Sequence, residues 1–301
     1  MKSIAGGNKT LAAFGLTAES KAVNLRESFA AGLFFVSASV SIVAIVLICA
    51  FLLGSGIPAI AKIGAVPFLL GKEWSPTDIP PLYGIFPMIA GSLLVTALAL
   101  LLGMPLGILS AVFLALSCPK RLYRAAKPAL ELLAGVPSVV YGFFGMMAVV
   151  PFLGNSVLSA GILLGIMILP VTANISESAL RAVPPEYYEG ARSLGAGHYR
   201  SVFGVVMPAA KSGLLAAAIL GLGRAVGETM AVIMVAGNQA RLPLSLNKGA
   251  RTLTANVVLE MGYAEGLHRE ALIATGVVLF IFILLLNISF SALTRRNNAK
   301  N

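Results

Sequence analysis

The chain has 301 residues, 58% of them hydrophobic and 11% charged, with a mean hydropathy of +0.91. That is well beyond what a soluble domain of this length needs for its core, and it identifies an all-α integral membrane protein. The net charge of +10 follows mostly from membrane topology, as counted below, so no nucleic-acid partner is needed to account for it.

Residues 1–27 form a polar leader carrying Lys2, Lys9, Lys21 and Arg26. The first apolar run, 28–54, exceeds the 7–15 residues typical of a signal-peptide core, which favours a retained first transmembrane helix over a cleaved leader. Further apolar runs at 86–117, 128–152, 156–182, 212–236 and 271–294 each reach the ~20 residues needed to cross ~30 Å of hydrocarbon. The expectation is a six-transmembrane-helix bundle, with a core over 86–294 and a polar tail over 295–301. With the N-terminus inside, 15 of the 22 Lys and Arg residues fall on inner segments and 6 on outer ones. The bias of basic residues toward the cytoplasm therefore predicts both termini cytoplasmic.

Within the second run, Pro105 predicts a bend. Pro137 and Pro170 fall inside the third and fourth runs, where the carbonyls they free must find other partners. Leu153-Gly-Asn-Ser156 reads as a tight outer turn joining those two runs. Small-xxx-small pairs at Gly103/Gly107, Gly161/Gly165 and Gly223/Gly227 predict close approach of helix backbones. Cys49 and Cys118 imply no disulfide framework.

The inner loop 184–208 is polar. Pro184-Pro185 followed by Glu186 and Glu189 predicts a short helix, with proline in its first turn and acids near its positive end. Gly195 and Gly197 end it.

The parts of an enzyme site are missing from this pattern. The two histidines, His198 and His268, fall on opposite sides of the membrane, and Ala210-Lys-Ser212 has alanine where a phosphate-cradling loop needs glycine. No catalytic residue, metal ligand or bound cofactor is assigned to this chain.

Chemistry concentrates instead in Gly221-Leu-Gly-Arg-Ala-Val-Gly-Glu-Thr-Met230, which places Arg224 at the middle of the fifth run and Glu228 one turn on. A charge at the bilayer centre costs ~2.5–3.5 kcal/mol on insertion scales. On a continuous helix the i, i+4 spacing lets the two side chains face and neutralise each other. Two uses are open: a structural ion pair, or a pair facing a hydrated path, with the planar donor fork of Arg224 attracting an anion. In the second, Glu228 accepts a hydrogen bond from an anion that still carries a proton, favouring phosphate over sulfate.

The stretch 189–208 resembles the EAA loop of ABC importer permeases, E-A-A, three residues, G, nine residues, then I-x-L-P. Glu189, Ala191, Gly195 and Pro208 match; Gly190 replaces the first alanine, and Val205 and Met207 stand for Ile and Leu. Within that family, Glu131–Gly142, Gly223–Val232 and Arg251–Gly262 are similar to phosphate-importer permeases of the PstC type. The resemblance implies a type I ABC importer permease fold in the bacterial inner membrane. It implies a PstA-type second permease subunit, two copies of a PstB-type cytoplasmic ATPase holding ATP and magnesium, and a periplasmic PstS-type phosphate-binding protein. Glu189, Gly190, Ala191, Gly195 and Pro208 carry over as ATPase-coupling positions, and Arg224 and Glu228 as phosphate-path positions. A permease for another oxyanion, or a non-conducting membrane scaffold, is the alternative.

Overall fold

The computed structural model describes residues 10–298, with side chains for 27–289, and divides between Gly54 and Ser55 into two compact units. Helix α1 (Thr10–Ile63) has its apolar segment over Glu27–Ile63. Phe29, Phe34, Phe35, Ile45 and Phe51 all stand exposed on it, an exterior suited to lipid rather than water. The expected first span, 28–54, is thus part of a longer helix, and the leader expected over 1–27 lies partly outside the described residues.

In the second unit the end of α1 is followed by α2 (Ala65–Leu70) and a small antiparallel hairpin, β1 (Trp74–Ser75) with β2 (Leu82–Tyr83), in which Trp74 opposes Tyr83. This hairpin is a minor departure from an all-helical chain. Helix α3 (Phe86–Val112) follows and continues as a π-helical turn, Phe113–Ser117. Pro105 lies inside α3 without interrupting it.

Helix α3 packs along α7 (Val157–Arg181), whose N-cap Ser156 accepts from the Ser159 amide after the turn at Gly154 (φ 69°). Small residues make this approach possible. A Cβ on Gly161 would lie 2.6 Å from Leu98 Cβ, and one on Gly107 2.9 Å from Thr172 Cβ. Pro170 stays within α7. Around this pair gathers a core of Val95, Leu163, Leu164, Met167 and Ile168.

Two expected spans are broken. The run 128–152 divides into α4 (Lys120–Gly135), α5 (Ser138–Ala148) and α6 (Val150–Leu153), with α4 and α5 bent by 97° at Val136-Pro137. Pro137 caps α5 instead of lying within a helix, because its ring prevents Val136 from keeping helical geometry. Helix α4 is amphipathic, and α5, at 11 residues, is only about 16 Å long, too short to cross the hydrocarbon alone.

After α8 (Pro185–Ser193), α9 (His198–Ser201) leads through a second π-helical turn, Val202–Val206, and α10 (Met207–Ala209) to α11 (Lys211–Gly227). The run 212–236 is also interrupted: α11 ends at Gly227, Glu228 is extended (φ −71°, ψ 128°), and α12 (Met230–Val235) resumes. A long loop then carries α13 (Leu253–Glu260), and α14 (Gly266–Asn298) closes the chain. Among the described residues, four helices are long and apolar enough to span a membrane, and up to six spans result when each bent pair, α4/α5 and the α9-to-α11 segment, counts as one.

Candidate functional site

The break between α11 and α12 changes the geometry expected for Arg224 and Glu228. On an unbroken helix they would face each other. Here Arg224 lies in the last turn of α11, and Glu228 lies beyond its end. No ion pair joins them among the described residues. Each charge is instead matched to a helix terminus. Arg224 complements the negative end of the α11 dipole, and the Glu228 carboxylate accepts from the Ala231 amide at 3.2 Å in the first turn of α12.

Two carbonyls at the break have side-chain donors. Gly227 O accepts from Thr229 Oγ1 at 3.3 Å and Glu228 O from Thr254 Oγ1 at 3.2 Å. Thr254 belongs to α13, held against α3 by the Leu253 amide donating to Ser92 Oγ at 2.9 Å. On the other side, the hydroxyl of Tyr141 in α5 donates to Leu133 O at 2.8 Å across the α4/α5 bend. The two broken spans meet closely, since a Cβ on Gly142 would lie 3.0 Å from Ala231 Cα. The three stretches around 131–142, 223–232 and 251–262, far apart in sequence, thus converge on one place.

Arg224 itself is half-buried and has no hydrogen-bond or ion-pair partner among the described residues. Gly223 and Gly227, expected as a packing pair, have open space where a Cβ would go. They therefore bring no backbone together within this chain, unlike Gly103/Gly107 and Gly161/Gly165.

Two charged clusters escaped the sequence reading. Glu177, buried in α7, accepts from Lys127 Nζ (2.6 Å), Arg181 Nε (2.6 Å) and Tyr123 Oη (2.8 Å), tying α4 to α7. A carboxylate inside the run 156–182 was its signal. At the opposite end, Glu260 takes Arg251 Nη1, Trp74 Nε1 (2.8 Å) and His268 Nε2 (2.9 Å), fastening the hairpin and the loop 237–262 to α14. Burial and the Glu260 charge together raise the Tyr263 hydroxyl above the usual phenol range.

The polar loop 184–208 forms as expected. Pro184 caps α8, Glu186 lies in its first turn, and Gly195 reverses the chain at φ 83°, a left-handed conformation that glycine adopts without steric cost. Glu189 and Gly190 are exposed, Ala191 is half-buried, and Pro208 lies within α10. Tyr187, Leu194 and Tyr199 are 52%, 90% and 75% exposed around them, an apolar patch on a loop end that motif spacing alone does not reveal.

Helices broken inside an apolar bundle, with a half-buried cation at the break and a polar loop at one end, define a multi-pass membrane permease. Residues 103–299 match the family described as binding-protein-dependent transport system inner membrane component, and the chain belongs to that family. It is 40% identical over 265 residues to a protein of Bacillus subtilis (strain 168) named probable ABC transporter permease protein YqgH, covering 83% of this chain and 86% of that one. It is 34% identical over 247 residues to the phosphate transport system permease protein PstC of Mesorhizobium japonicum, covering 73% and 75%. Its fold is similar to a chain of the inward-facing MetNI methionine ABC transporter, with a TM-score of 0.56 at 22% identity over 71% of this chain and 94% of that one. The chain is therefore a permease subunit of an ABC importer in the bacterial inner membrane.

Proposed function

We propose that this permease forms half of the path for inorganic phosphate in an ATP-driven importer, with Arg224 as its anion-attracting group. The observation that carries the reading is Arg224 at a helix break, without a hydrogen-bond or ion-pair partner among the described residues, between two glycines that leave space beside it. A purely structural arginine in this position would have a carboxylate partner, as Arg181 has in Glu177. Glu228, held at the start of α12, accepts a hydrogen bond from a phosphate oxygen that still carries its proton and disfavours fully ionised sulfate. The relatives named phosphate permeases support the cargo.

In this reading a PstA-type subunit completes the path, a PstS-type binding protein delivers phosphate from the periplasm, and two PstB-type ATPases hydrolyse ATP below. The exposed loop around Glu189, Gly190, Ala191 and Gly195 seats in the ATPase, with both termini on that cytoplasmic side. Tyr187, Leu194 and Tyr199 supply apolar area to the seat. Pro208 positions the turn that leads from this loop into α11.

The test is ATP-dependent uptake of labelled phosphate by the reconstituted complex, with sulfate in competition. Phosphate uptake unaffected by excess sulfate, and lost in Arg224→Gln with assembly intact, is the expected result. Equal competition by sulfate reassigns the cargo to oxyanions generally, and assembly without uptake makes the chain a scaffold.

A further inference from the structure

His198 lies where three elements meet, and both of its ring nitrogens are engaged. Nδ1 is 2.8 Å from the Tyr188 hydroxyl on α8, and Nε2 is 3.0 Å from Ser117 Oγ at the end of the π-helical turn that terminates α3. His198 itself opens the segment that runs through α9 and the second π-helical turn into α11. One side chain therefore connects the exposed loop helix to the end of α3 and to the lead-in of α11. The imidazole suits this position because its neutral form offers one donor and one acceptor on opposite edges. The phenol is the stronger donor of the two hydroxyls, so Tyr188 donates to Nδ1 and Nε2–H donates to Ser117 Oγ.

The surroundings are built to move as a block. The Tyr188 ring also stands edge-on to His198, with centroids 5.8 Å apart. Beneath them Ala111 and Val112 of α3, Leu180 of α7, and Val202 and Val206 of the second π-helical turn form a separate apolar cluster against which Tyr188 packs. Both π-helical turns flank this junction, and such turns are rare in helices and frequent at functional sites. A displacement of α8 is thus transmitted by directional hydrogen bonds to α3, the helix locked to α7 through glycine contacts, as well as along the chain to α11.

We propose that His198 is a positioning residue for energy coupling: the Tyr188–His198–Ser117 chain of hydrogen bonds makes α3 and α7 follow the loop helix when the ATPase moves it. This inference rests on the reading of loop 184–208 as the ATPase seat. Without the chain of hydrogen bonds, the ATPase still docks and hydrolyses ATP, but its motion reaches α11 only and less phosphate crosses per ATP.

The test uses the reconstituted full complex and measures phosphate moved per ATP hydrolysed, together with ATPase co-purification. Tyr188→Phe keeps the ring and its packing, and Ser117→Ala removes only an exposed hydroxyl. Each is expected to lower the phosphate-to-ATP ratio about three- to tenfold with the ATPase retained. The double variant is expected to do no worse than either single one, because both cut the same chain, and Ser117→Thr, which keeps the hydroxyl, to restore the ratio. A wild-type ratio in both single variants, or losses that multiply in the double variant, overturns the proposal. Loss of the ATPase from either variant also overturns it, since the two hydroxyls then belong to the seat itself. The seat reading fails separately, if replacing Glu189 and Gly195 leaves ATPase co-purification at the wild-type level.

Discussion

Glu177 and Arg224 are both charges inside apolar runs, yet they are treated in opposite ways. Glu177 is buried and receives three side-chain donors from Tyr123, Lys127 and Arg181, so its charge is fully answered within the chain. Arg224 is half-buried, ends a helix, and has no such donor or acceptor counterpart among the described residues. The difference separates a fastening from a working group. A buried charge that only holds helices together must be paired, because an unpaired one in a low-dielectric interior costs more than the packing it provides. In the reading proposed above, a charge that meets only a helix terminus and no side chain is free to serve something outside the chain.

The sharpest way to break this distinction is to remove the answered charge. Glu177→Leu leaves Lys127 with Asn174 and the more distant Glu131, and Arg181 with Leu114 O, and breaking a buried pair costs about 3–5 kcal/mol. The lower end applies here because the Arg181 side chain is 45% exposed. Folded protein recovered in detergent, and its thermal midpoint, should fall steeply, with uptake falling only in proportion to the protein lost. The next largest effect belongs to Arg224→Gln, with the opposite signature. The thermal midpoint stays within experimental error while uptake falls at least about tenfold, since a hydrogen bond to a charged group contributes ~1.5–3 kcal/mol. Equal loss of stability in the two variants would erase the contrast.

The positions of these charges differ in how legible they were. Hydropathy windows read the length of apolar runs well, and α3, α7 and α14 fall where they were expected. Windows do not read continuity. The run 212–236 averages over Glu228, whose extended backbone divides it, and the i, i+4 argument for facing side chains fails because it assumed an unbroken helix. Pro137 was visible, but whether a proline kinks or ends a helix depends on what satisfies the freed groups: Tyr141 does so across the α4/α5 bend, while α7 absorbs Pro170 intact. The Glu177 cluster was hidden for a different reason, because Lys127 and Glu177 lie 50 residues apart and only the fold of α4 against α7 joins them. Loop 184–208 was the most legible part, since proline, acid and glycine act there through local backbone geometry.

The glycine pairs extend the same comparison at smaller magnitude. At Gly161 an added methyl would meet Leu98 Cβ at 2.6 Å, so Gly161→Ala forces α3 and α7 apart. Overpacking of this kind costs ~1–3 kcal/mol, a loss of thermal midpoint that Leu98→Gly, which removes the opposing Cβ, should partly restore.

At Gly223 nothing lies within 4 Å of the methyl, and the residue is inside α11. Alanine in place of a helical glycine then stabilises by up to ~1 kcal/mol, so Gly223→Ala should leave the isolated chain as stable as the wild type or slightly more so. Its effect on the complex decides what occupies the space beside Arg224. A methyl beside a phosphate path narrows it, and uptake should fall with assembly unchanged. If assembly with the second permease subunit weakens instead, the glycine face is a surface between subunits, and the open space beside Arg224 is filled by protein. Uptake and assembly both unchanged would mean that the space serves neither, and the argument for Arg224 would then rest on its missing partner alone.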